Sequence, residues 1–138
     1  MANNQLNGNI GLYFVCYQLS LRGWNVMPTA RNAAGVDIII YSQDGTKMHS
    51  VQVKGFHKKN GVPLAGGDGS SFSKKICADF WVVTSNIRDQ NPTSYILTDG
   101  EVREYAHLDG QGLWLPAKHY ALESNREAWT KIGNGDPT

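Results

Sequence analysis

The sequence predicts an α/β chain, α+β in class, with a mixed β-sheet flanked by helices. Three observations carry this. A helical pattern opens the chain in "NGNIGLYFVCYQLSLRGW". Two strand-like runs, "VDIII" and "SVQVK", flank an Asp-Gly turn. Two further apolar runs, "DFWVVTSN" and "TSYILT", follow a glycine-rich stretch.

Each element follows from local chemistry. In the opening segment Leu6, Ile10, Tyr13, Phe14, Tyr17 and Leu21 recur at helical spacing, and Gly23 stands where a helix ends. "WNVMPT" reads as a short strand stopped by Pro28. "GVDIIIYSQDGTKMHSVQVKG", residues 35–55, reads as a hairpin. Residues 56–77 are rich in Gly, Ser and Lys and read as one long loop, which in a compact domain is functional or mobile. Residues 79–86 and 93–98 read as strands, and "DGEVREYA" as a short helix from Asp99. In "SNREAWTKIG", Ser124 and Glu127 have capping-box spacing, which predicts a last helix ending at Gly133. Residues 1–133 are expected to form one domain, with 134–138 a loose tail.

Composition narrows the function. Apolar residues make up 41% and charged residues 18% of 138, enough for a buried core and against disorder. Cys16 and Cys77 fit no metal or redox spacing and read as free thiols of a reducing, cytoplasmic compartment. No apolar run reaches bilayer length, and "MANNQLNGN" is too polar for a signal peptide, so no membrane partner is expected. "AGGDGSS" lacks the Gly-Lys-Ser/Thr ending of a phosphate loop, so no nucleotide cofactor is expected. His49, His57, His107 and His119 have no zinc spacing. Trp24, Trp81, Trp114 and Trp129 read as core or interface anchors rather than base-stacking platforms. Net charge is only +1, but it is unevenly spread. Five lysines face a single acid, Asp68, between Lys54 and Lys75, whereas seven acids face four bases from Asp99 onward.

The hairpin holds the chemistry. With Asp44 and Gly45 at the turn centre, Tyr41 faces Met48, Ile39 faces Ser50 and Asp37 faces Gln52. Side chains alternate along a strand, so Asp37, Gln52 and Lys54 share one face. Val36, Ile38, Ile40, Val51 and Val53 form the other, apolar face. One carboxylate, one amide and one ammonium converge at the sheet end away from the turn. This set suits phosphodiester hydrolysis. Asp37, the Gln52 amide oxygen and the Val53 backbone carbonyl are candidate ligands for a hard divalent cation. Lys54 is placed to position water or offset charge on the phosphate. Taken alone, D-x14-Q-x-K equally describes a strand start, a solvent-facing amide and a lysine reaching out from an edge. Lys58, Lys59, Lys74 and Lys75 are candidate phosphate contacts or plain solvated lysines. Arg31, just before the hairpin, is a further candidate substrate contact.

The series "NGNIG", "LRGWNV", "RNAAGVDIII" and "SVQVKG" resembles the PD-(D/E)XK nuclease superfamily across residues 6–86. The pattern is closest to Mrr-type restriction endonucleases and Holliday junction resolvases. The resemblance implies a restriction-endonuclease-like core and a DNA endonuclease that uses Mg2+ or Mn2+, and a domain this small, cutting one strand per site, is expected to act as a homodimer. It matches Asp37 to the metal-binding aspartate, Gln52 to the second acidic position and Lys54 to the motif lysine. Two positions depart from the pattern. Leu12 stands where many relatives carry a first-helix glutamate, and Asn9 is the nearest polar residue. The second acidic position is an amide. A catalytically degenerate module that binds nucleic acid or protein without cleavage is the alternative expectation.

Overall fold

The computed structural model describes residues 4–30, 35–66 and 78–136. Helix α1 spans Asn4–Leu21. It ends at Gly23, whose φ of 88° suits a residue without Cβ. The Gly23 N–H bonds to the Ser20 carbonyl at 3.0 Å and the Trp24 N–H to the Leu19 carbonyl at 3.1 Å. These two bonds make a Schellman closure.

Strands β1 (Asn25–Pro28), β2 (Ile38–Tyr41) and β3 (Met48–Gly55) follow. The hairpin has the expected register, with Tyr41 opposite Met48 and Ile39 opposite Ser50. The Asp44 carboxylate fixes the turn by accepting from Ser42 Oγ, Thr46 N–H and Thr46 Oγ1. Strands β5 (Phe80–Ser85) and β6 (Thr93–Thr98) complete a five-stranded mixed sheet of order β1-β2-β3-β5-β6. Only β3 and β5 run parallel.

Four expectations need correction. The stretch 56–77 is not all loop. Strand β4 (Val62–Gly66) lies within it and pairs with β8 (Gly112–Leu115), which pairs in turn with β7 (His107–Asp109). The remainder, 67–77, lies outside the described residues and takes Cys77 with it. Second, α1 does not bury its large apolar stripe. Its buried residues are Asn7, Gly11, Val15, Cys16 and Leu19, while Tyr13, Tyr17 and Leu21 are 67%, 59% and 62% exposed. Third, no α-helix follows Ser124. Glu127 has φ 49° and uses its carboxylate on the edge of β6, accepting from the Ser94 N–H at 2.6 Å and from Trp129 Nε1 at 3.1 Å. A capping glutamate bonds its own helix start, and this one is engaged elsewhere. Only a 3₁₀ turn, Trp129–Lys131, remains. Residues 133–136 are also docked, not loose. Trp24 Nε1 donates to the Gly133 carbonyl, the Gly135 N–H to Arg22 and the Gln43 N–H to Gly135.

The expected helix near Asp99 is α2, Asp99–Tyr105, and Thr98 with Glu101 supplies its capping box. A one-turn helix α3 spans Ala117–Tyr120. The large sheet separates two cores. Ile38, Ile40, Val51, Val53, Val82 and Ile96 pack under α1 and the 3₁₀ turn. Trp81, Val83, Tyr95 and Leu97 pack on the opposite side under β4, β8, α2 and α3. No described helix is long and apolar enough to cross a membrane.

Candidate active site

Asp37 sits immediately before β2, where the chain leaves the sheet. Its N–H still bonds to the Val51 carbonyl at 2.9 Å, and its own carbonyl accepts from the Thr29 N–H at 2.8 Å. Past this point β3 has no backbone partner in β2. The Asp37 carboxylate takes over, with Oδ2 accepting from the Val53 N–H at 2.8 Å. A strand residue sends its N–H and C=O to the same side. The Val53 carbonyl therefore points to the edge that Asp37 closes, and Asp37 Oδ1 is left over.

Gln52 and Lys54 project from β3 to the face that carries Trp81 and Val83 on β5, their register partners. Gln52 is buried and Lys54 half-buried, yet both open onto one cleft of about 1220 Å³. Among the described residues, neither the Gln52 amide nor the Lys54 ammonium has a hydrogen-bond partner. Burial lowers the Lys54 pKa from its ordinary value, and the charge of Asp37 offsets part of that effect. Asp37, Gln52, Val53 and Lys54 thus all line the same space.

The cleft runs between α1 and the small sheet. Its first wall comes close because two glycines let backbones touch. A Cβ on Gly55 would lie 3.0 Å from the Asn7 carbonyl oxygen and 3.1 Å from Gly11 Cα. This contact puts Asn7, Asn9 and Leu12 on the cleft. Asn9 is exposed there. Leu12 is half-buried and also packs on the first core. Asn7, which the sequence reading passed over, is buried and accepts from Arg88 Nε at 2.8 Å. The Gly11 and Gly55 pair was its one sequence signal.

The second wall is residues 56–61, with Pro63 and Trp114. Tyr120 holds it in place. Its hydroxyl donates to the Asn60 carbonyl and accepts from the Asn60 N–H at 3.1 Å. Burial raises the Tyr120 pKa, which keeps the phenol protonated as a donor. Lys58 and Lys59 are exposed on this wall, and Lys59 Nζ lies 5.8 Å from the centroid of the Tyr95 ring. Arg31, Lys74 and Lys75 lie outside the described residues. Among the described residues, no three His, Cys, Asp or Glu side chains cluster as a metal site.

No family model and no curated protein matches the chain. Among solved structures it is similar to a bacterial homing endonuclease, I-Ssp6803I. The identity is 18%, over 96% of this chain and 94% of that one, with a TM-score of 0.64. The chain shares that protein's fold, a five-stranded mixed sheet flanked by helices. It also matches a Holliday junction resolvase, Hjc of Archaeoglobus fulgidus. There the identity is 14%, over 79% of this chain and 90% of that one, with a TM-score of 0.47. In this chain α1 and the hairpin meet at the glycine contact, and Asp37, Gln52 and Lys54 lie beside it.

Proposed function

We propose that the chain is a divalent-metal-dependent DNA endonuclease, with Asp37, Gln52 and Lys54 at the centre that hydrolyses the phosphodiester. One observation carries this reading. Gln52 and Lys54 lie beside Asp37, line the same cleft, and form no hydrogen bond among the described residues. An amide and an ammonium that open onto one cleft beside a carboxylate, with no protein partner, are free to meet a ligand there.

The donor set suits magnesium or manganese. Asp37 Oδ1, the Gln52 amide oxygen and the Val53 carbonyl are hard oxygen donors. A divalent cation bound there supplies Lewis-acid polarisation of the phosphate and acidifies water. Asp37 provides the negative charge that holds it. Lys54 offers its ammonium to phosphate oxygens as negative charge grows on them. Lys58 and Lys59, with Arg31, Lys74 and Lys75, hold the DNA backbone. Asn9 contributes from α1.

A second copy completes the assembly that cuts both strands. Helix α1 contains no charged residue, and Tyr13, Tyr17 and Leu21 lie exposed at four-residue spacing. Two such faces meet without like-charge repulsion. Sedimentation should report a dimer that Tyr17→Glu dissociates, and a monomeric parent chain would remove this part of the reading.

The test of cleavage uses Asp37→Asn, which keeps an oxygen for the Val53 N–H and removes the charge. Cutting of DNA with magnesium or manganese should disappear while the melting temperature holds. Full cutting by this variant would dismiss the catalytic assignment. One observation favours the reading of binding without cleavage: Asp37 is the one carboxylate lining the cleft among the described residues, and Leu12 stands on α1 where the resemblance places a glutamate. DNA bound but uncut by the parent chain with either metal would decide for it.

A further inference from the structure

Trp24, Trp81 and Trp129 are each 3% exposed and belong to the cores. Trp114 differs. It is half-buried, stands on β8 and lines the cleft. Its neighbours Leu113 and Leu115 turn inward to the second core, so Trp114 occupies the outward face of the small sheet. Pro63 on β4 and His107 on β7 lie directly opposite it, and both are exposed. Directly opposed residues share a sheet face. Proline, indole and imidazole therefore form one row across three strands, roughly 10 Å from end to end at ordinary strand spacing. Gly61 lies beside the indole, where even a Cβ would come only within 3.9 Å of Trp114 Cε3. The indole N–H has no partner among the described residues.

We propose that Trp114, flanked by Pro63 and His107, is a stacking platform for an unpaired base of the DNA strand held in the cleft. This rests on the nuclease reading and narrows its substrate class. Bases inside a duplex are stacked on one another and offer no face to an indole. An aromatic ring on the open face of a small antiparallel sheet takes a base only from a single-stranded or extruded nucleotide. The basic wall at Lys58 serves the backbone of either DNA form, whereas Trp114 distinguishes them.

The test is a binding titration of the parent chain with a chelator present, so that nothing is cut. The probes are a single-stranded oligothymidylate and a blunt-ended duplex of two complementary strands. The single strand should quench tryptophan fluorescence, and the Trp114→Phe variant should lose that quench. Trp114→Ala should weaken single-strand binding roughly tenfold and leave duplex binding within twofold. Equal weakening of both probes would make Trp114 a plain wall of the cleft and overturn the platform. So would an unchanged single-strand affinity, or a parent chain that binds neither probe. The nuclease reading is judged separately, by Asp37→Asn on cutting, so it survives a failed platform.

Discussion

Lys54 and Lys131 are both half-buried, and the fold treats them in opposite ways. Lys131 Nζ contacts both Glu101 carboxylate oxygens at 3.0 Å and Asn125 Oδ1 at 2.6 Å. This cluster ties the 3₁₀ turn to α2 and to the segment beside β6. Lys54 has no such partners, and its pKa is lowered by burial. One withdrawn ammonium is used to hold elements together. The other is kept available at the mouth of a cleft. The lesson is that burial of a charge is uninformative until its partners are counted.

The comparison can be broken by exchanging consequences. Lys54→Met should lower cleavage by roughly 10²–10³, the usual loss when one donor to developing charge is removed. Its melting temperature should hold, because the burial cost of the ammonium, which exceeds the attraction of Asp37, is removed with it. A variant that melts early and still cuts would place Lys54 with Lys131 as a structural residue. Lys131→Met is the mirror case. It leaves Glu101 and Asn125 without their shared donor and should destabilise by about 1–3 kcal/mol, read by denaturant unfolding, with cutting unchanged.

Asp37 sharpens the contrast because it serves both purposes. Asp37→Ala strands the Val53 N–H and should cost about 1–2 kcal/mol beyond Asp37→Asn. Both variants should fail to cut. Equal unfolding midpoints for the two would show that the carboxylate bond to Val53 contributes nothing to the fold.

The smallest effect is the pH dependence of the Lys131 cluster. Burial alone would raise the Glu101 pKa, but the Thr98 N–H and then Lys131 outweigh it, so the folded value is lowered. A lowered carboxylate stabilises the fold above its unfolded value, and that contribution fades as pH falls through the folded value. Glu101→Gln should therefore have a flatter melting profile than the parent below the ordinary glutamate range. The difference should be about 1 kcal/mol or less, given the partial exposure of both groups. Parallel profiles would dismiss the linkage.

The hairpin was legible because Asp44-Gly45 fixes a turn, and a turn fixes every pair beyond it. Asp37, Gln52 and Lys54 followed from that register and from alternation alone. The buried face of α1 was not legible. Hydrophobicity pointed to Tyr13 and Tyr17, but the contact with β3 is decided by how closely backbones approach. Small residues at Gly11 and Gly55 allow that approach, and large ones cannot. The small sheet was hidden for a different reason. Strand β4 contains Pro63 and lies among glycines, and its partner β8 is four residues long and about fifty positions away. The site's second wall, with Trp114, was hidden with it. Ser124 and Glu127 had the right spacing for a helix, but the edge of β6 claimed the carboxylate first.

The bond from Trp24 to Gly133 joins residues 109 positions apart. Residues 133–135 reach the end of α1, the first turn of β1 and the hairpin tip together. Contacts at such separation are slow to close. In refolding, the hairpin that holds Asp37 and Lys54 is thus set before residues 133–135 seal the corner at Trp24.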